Sequence, residues 1–109
     1  MPHDIADAIP PAACGDMATL RAQIDRLDRE LVAMIATRLG YIARAAEIKP
    51  SRDRVHDSAR IEDVVAKVRQ AAERQGVPPH LVDRVWRELI AQSIAYEFEK
   101  FDARMRAAG

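Results

Sequence analysis

The stretch LRAQIDRLDRELVAMIATRLGYIARAAEIK, Leu20 to Lys49, is one uninterrupted helical pattern. Counted from Met17, its apolar positions are Met17, Leu20, Ile24, Leu27, Leu31 and Met34, in alternating steps of three and four. This is the spacing that lines up one face of an α-helix. The stripe resumes at Tyr41, Ile42, Ala45 and Ile48, and Pro50 stops it by removing a backbone N–H. Asp16 or Thr19 can cap its start. Such a helix is about 50 Å long at ~1.5 Å per residue, against a usual length of about 11–12 residues. A chain of 109 residues cannot cover that stripe by itself. It needs a partner, most simply a second copy.

One position breaks the stripe. The next step of four after Met34 lands on Arg38. Guanidinium does not deprotonate under ordinary conditions, and burying it unpaired is costly. An anion is therefore expected on the inside, either a protein carboxylate or a ligand. Lys49 follows after eleven residues, within roughly 20° of the same face and about 16 Å along the axis. Two long cationic side chains so placed can clasp a small dianion. Arg21, seventeen residues before Arg38, lies about 100° round the helix. It is poorly placed to join the same cluster within one chain, but it can reach a site on a neighbouring copy.

Outward from this helix, residues 1–15 hold Pro2, Pro10, Pro11 and Gly15 without periodicity and read as a mobile tail. The remaining pattern defines one domain over residues 16–107. The segment PSRDRVHDS, Pro50 to Ser58, is a polar loop. Asp57 or Ser58 can cap a second helix, from about Ala59 to Gln75, with Ile61, Val64, Val65, Val68, Ala71 and Ala72 at helical spacing. Gly76 ends it, and Pro78 and Pro79 open a third helix that fades near Met105. No segment alternates with period two, so the expected fold is all-α, with three helices per chain.

The third helix has an anomaly like Arg38. Trp86, Ile90, Ser93 and Glu97 share a face, and the last two interrupt it with polar groups. Arg60, beside Ile61 at the start of the second helix, is also expected to point inward. The inward polar set is then Arg38, Lys49, Arg60, Ser93 and Glu97, with Asp57 beside it. Its surplus of positive charge favours an anionic ligand over a closed internal ion pair. Plainer readings exist for each member. A lone Arg on a helix seam often snorkels or pairs with a nearby Glu. Lys49 suits a helix C-terminus, and Glu97 alone is commonly a salt-bridge partner. Trp86 reads as core.

Composition narrows the chemistry. Hydrophobic residues are 49% and charged residues 31%, and Lys plus Arg balances Asp plus Glu at 17 each. No bulk positive field points to nucleic acid, so any anion site is local. Cys14 is the only cysteine, and His3, His56 and His80 are scattered, which leaves no metal-ligand spacing. There is no Gly-rich phosphate loop and no nucleophile elbow. No cofactor is expected. The first residues lack the pattern of a signal peptide and no apolar run could span a bilayer, so the expected location is the cytoplasm.

These residues resemble the AroQ-class chorismate mutases. The shared elements are Arg21, the run Ile24-Asp25-Arg26-Leu27-Asp28, Arg38, Lys49 and Arg60, continuing through VHDSARIEDVV to VWRELIAQSIAYEFEKF. The resemblance implies an intertwined homodimer with two equivalent sites for a small dicarboxylate. Arg38 and Lys49 would come from one subunit and Arg21 from the other. Arg60 would help hold a carboxylate, Asp57 matches a family aspartate before the second helix, and Ser93 and Glu97 would line the site. Two positions depart from the bacterial mutases. Ile61 stands where they have a glutamate for the substrate's ring hydroxyl, and the isochorismate-pyruvate lyase branch also has an apolar residue there. Glu97 stands where many have glutamine, whereas fungal mutases have glutamate.

The resemblance implies a Claisen rearrangement of chorismate to prephenate, or alternatively a pericyclic hydrogen transfer that releases pyruvate from isochorismate. Neither needs a nucleophile or a metal. Arginines would clamp the two carboxylates and hold the enolpyruvyl arm over the ring. Lys49 would stabilise negative charge on the ether oxygen as the C–O bond breaks. Glu97 would face the same oxygen, and a protonated Glu97 is expected in the active form, with activity rising below neutral pH. A third reading is a non-catalytic helical dimerisation module whose arginines bind protein carboxylates.

Overall fold

The computed structural model describes residues 8–109. Residues 1–7 of the expected tail lie outside them. Three α-helices form: α1, Met17–Ile48; α2, Ser58–Gln75; and α3, Pro79–Ala108. Short 3-10 turns occupy Pro11–Ala13 and Arg52–Arg54. No strand occurs among the described residues.

The helix ends follow local chemistry. Asp16, not Thr19, caps α1: its Oδ1 accepts from the Thr19 N–H at 2.7 Å. The last α1 bond runs from the Lys49 N–H to the Ala45 carbonyl, and Pro50 has no N–H to continue it. Asp57 caps α2 by accepting from the Arg60 N–H at 3.0 Å. Gly76 ends α2 at φ 70°, in the left-handed region where a side chain would be strained. Pro79 opens α3, where its missing N–H leaves no bond unmade.

Contacts divide the chain into two units, residues 1–38 and 39–109, with the division inside α1. In the second unit α2 packs on α3. The core there is Ala46, Val55 and Phe101, with Ile94 and Phe98 packed against it. The Arg52–Arg54 turn brings Val55 into that core. Charge pairs tie the elements together. Arg87 of α3 donates to both Glu62 oxygens at 2.9 and 3.0 Å and to Asp83 at 2.8 Å. Asp83 also accepts from Arg69 of α2 at 3.0 Å. Arg52 donates to Asp102 at 2.9 Å and lies over the Phe98 ring.

In the first unit, the Ile9 N–H donates to Gln23 Oε1 at 3.2 Å, tying the lead-in segment to α1. The apolar stripe of α1 is largely open: Leu31 is 56% exposed and Met34 67%. Met17, Ile24, Leu27, Val32 and Ile35 are also exposed. Contiguous apolar surface of this kind marks an interaction face more often than a solvated one.

Acid should loosen the α2–α3 pairing. Arg87 holds the Glu62 and Asp83 carboxyls below their ordinary values, Lys67 and then Arg60 do the same for Asp63, and Arg52 for Asp102. A carboxyl lowered in the folded state stabilises it above the unfolded value, near ~4, and loses that contribution as pH falls through the folded value. These groups are solvated, so each contributes little. The expected result is a melting temperature that falls as pH is taken from about 5 to about 3. The fall should be shallower in Asp83→Asn, which removes the titrating carboxylate shared by Arg69 and Arg87. An equally steep fall in that variant would place the acid sensitivity elsewhere.

Candidate active site

Lys49 and Glu97 meet in the second unit, with Lys49 Nζ 2.7 Å from Glu97 Oε2. The Glu97 side chain is 5% exposed and that of Lys49 28%. Lys49 Nζ also donates to the Val55 carbonyl at 3.4 Å. The approach of Lys49 to Oε2 lies outside hydrogen-bond angles, and Oε2 is fully buried with its hydrogen-bonding capacity unmet. Charge attraction holds the pair, without a well-aligned hydrogen bond to Oε2. A buried carboxylate oxygen in this condition is costly in a purely structural pair.

The chain places these groups for simple reasons. Lys49 is the residue just beyond α1, turned back by Pro50 toward the Arg52–Arg54 turn. Glu97 is on the face of α3 that also carries Ile90, Ser93 and Phe101, all buried. Ser93 Oγ donates to the Leu89 carbonyl at 2.7 Å, the i−4 bond by which a hydroxyl is accommodated inside a helix face. A recess of about 420 Å³ opens on the same α3 stretch, lined by Ile61, Ile90 and Ile94 with His56, Arg87 and Ala91. Its floor is apolar and its ionisable groups are His56 and Arg87. A second recess, of about 550 Å³, lies in the first unit between residues 8–14 and the early turns of α1. Its lining is apolar apart from Gln23, Arg26 and Cys14, which supplies no acid–base pair.

Several expected site residues take other places. Arg60 does not point inward: its side chain is 61% exposed and donates to Asp63 at 2.7 Å. Asp63 is three residues on and adjacent on the helix surface, so the local pair forms before any reach across the fold. Asp57 spends its carboxylate on the α2 cap. The expected surplus of inward positive charge is reduced by the outward turn of Arg60 to Asp63, while Lys49 is paired with Glu97. Ile61 is half-buried and lines the recess. Trp86 is half-buried. In the first unit, Arg21 is exposed and Arg38 half-buried. Among the described residues no cluster of His, Cys, Asp and Glu could hold a metal ion. No described helix is long and apolar enough to cross a membrane.

The sequence pattern did not point to four contributors. The Val55 carbonyl receives Lys49 only because the 3-10 turn folds back. His56 and Arg87 at the recess sit in a polar loop and on a charged face, where nothing sets them apart. Arg104 donates to the end of α1 from α3, and the only advance sign of it was its seven-residue spacing from Glu97.

Three helices, with a buried Lys–Glu pair where the long first helix ends, define a type of domain that comparison with known proteins identifies. Residues 20–98 match the model of chorismate mutase type II, and the chain belongs to that family. It is 33% identical over 86 residues to the T-protein of Enterobacter agglomerans, a match covering 78% of this chain but 23% of that protein. It is 25% identical over 89 residues to the isochorismate pyruvate lyase of Pseudomonas aeruginosa, covering 82% of this chain and 88% of the lyase. The chain thus spans about a quarter of the first relative and most of the second.

Proposed function

We propose that the protein is a chorismate mutase that converts chorismate to prephenate. The observation that carries this reading is the buried Lys49–Glu97 pair with its unsatisfied Oε2. An ether oxygen that displaces this contact, with the two groups moving apart, would receive the Lys49 ammonium and accept a hydrogen bond from a protonated Glu97. Both contacts strengthen as the C–O bond breaks and charge grows on that oxygen, which is the condition for lowering a barrier. The apolar recess of Ile61, Ile90 and Ile94 suits a carbocyclic ring. Arg38 would hold one carboxylate of the substrate in bidentate fashion, and Arg60 would assist once released from Asp63.

The functional unit in this reading is a homodimer in which the exposed stripe of α1 is covered by a second copy. Its support is the length of α1, the apolar side chains left open on it, and Arg21, which lies off the face of Arg38 and would serve the partner's site.

A second reading, isochorismate-pyruvate lyase, is favoured by Ile61. This residue gives the recess no acceptor for a ring hydroxyl, and the similar Pseudomonas lyase is matched over most of its length. One assay separates the two. The purified protein is expected to form prephenate from chorismate. Salicylate and pyruvate from isochorismate, without prephenate from chorismate, would replace the first reading by the second. Turnover of neither, with no rise in melting temperature on adding either diacid, would overturn both and leave a dimerisation module.

A further inference from the structure

Lys49 is held at both ends by α3. Its ammonium meets Glu97, and its backbone carbonyl accepts from Arg104 Nη2 at 3.2 Å. Arg104 Nη1 donates to the Glu47 carbonyl. The guanidinium lies over the ring of buried Phe101, 4.7 Å from its centroid. Glu97, Phe101 and Arg104 follow a 4-3 spacing, so they stand one above the next on a single face of α3. The last carbonyls of an α-helix have no partner within it. At many helix ends the following backbone N–H groups turn back to meet them. Pro50 has no N–H to offer, and Ser51 and the turn after it lead away toward Val55. Arg104 supplies the missing donors from another helix.

We infer that Arg104 is a positioning residue for Lys49, setting where its ammonium stands relative to Glu97. The carbonyls it binds belong to Glu47 and to Lys49 itself, so its loss frees the point from which the Lys49 side chain starts. A lysine chain re-anchored by a fraction of an ångström at its backbone has many rotamers through which to drift from a partner 2.7 Å away. Phe101 fixes the plane of the guanidinium, so both donors face the carbonyls together. The inference rests on Lys49 being the cation at the breaking bond, as proposed above.

Arg104→Met keeps the stem over Phe101 and removes both donors. It is expected to lower kcat about 10- to 100-fold while KM for chorismate moves by less than about 3-fold, since displacement of a catalytic group harms the reacting geometry more than binding. Arg104→Lys, which retains one donor, should recover part of the loss. In a Lys49→Gln background, Arg104→Met should cost little more, because its effect passes through Lys49. Equal losses in both backgrounds, or a rise in KM matching any fall in kcat, would overturn the inference.

A second readout needs no turnover. The chain has three lysines, Lys49, Lys67 and Lys100. Acylation by an amine-reactive ester, followed by mass spectrometry, should show Lys49 labelling several-fold faster in Arg104→Met than in the parent, with Lys67 and Lys100 unchanged. Unchanged Lys49 labelling would overturn the positioning role even if the protein turned over neither diacid. Inactivity combined with faster Lys49 labelling would instead overturn only the functional reading. Arg104→Lys serves for both measurements if the methionine variant does not fold.

Discussion

Replacing Arg38 by alanine is expected to lower kcat/KM for chorismate about 30- to 5,000-fold, from the ~2–5 kcal/mol that truncating a desolvated charge partner costs. Arg38→Lys should be nearly as damaging, because an ammonium cannot reproduce the two parallel N–H bonds that a guanidinium offers a carboxylate. Arg21→Ala should fall in the same range, although it is exposed and off the Arg38 face. The decisive measurement is to mix the two alanine variants under conditions that allow subunit exchange. A mixed dimer has one site with both arginines intact and one with neither. Random exchange makes about half the dimers mixed, so about one quarter of the parent activity should return. Activity that stays at the level of the separate variants would show that Arg21 and Arg38 do not serve one shared site. Full activity in Arg38→Ala alone would remove Arg38 from the site altogether.

The second large effect concerns Glu97 and Lys49. Lys49→Met removes the ammonium that meets Glu97 and is expected to cost about 10²- to 10³-fold in kcat, as loss of a donor aimed at developing negative charge does. Glu97→Gln should act differently. The amide is a neutral donor at every pH, whereas the carboxyl donates only when protonated and repels the ether oxygen when ionised. Glu97→Gln is therefore expected to equal or exceed the parent in kcat when both are assayed at about pH 8. A kcat about tenfold or more below the parent in Glu97→Gln at that pH would show that a neutral donor at this position does not serve the reaction.

Much of this molecule was legible along the chain because helices are local objects. Asp16, Asp57, Gly76, Pro50 and Pro79 punctuate the three helices where backbone chemistry requires, and the observed ends fall within a residue or two of those expected, α3 excepted, which runs on to Ala108. The inward faces were also readable: Ser93 and Glu97 were expected to interrupt the apolar face of α3, and both are buried. Arg60 shows where such reading stops. Its position beside Ile61 suggested an inward side chain, but Asp63 one turn away competes for the guanidinium, and periodicity does not rank rival partners.

Periodicity along residues 16–107 was enough to read an all-α chain, a first helix too long for its own core, and polar interruptions of the apolar face of α3. Helical register states the direction in which each side chain leaves its axis, and it needs no knowledge of the neighbours. Partnership depends on distances across the fold. That Lys49 meets Glu97 and Val55, that Arg87 joins Glu62 to Asp83, and that Arg104 closes the end of α1 emerged only from packing. Each is a choice among several opposite charges or open carbonyls of similar local character, and what selects among them is which residues the packing of α2 on α3 and the Ala46–Val55–Phe101 core bring within reach.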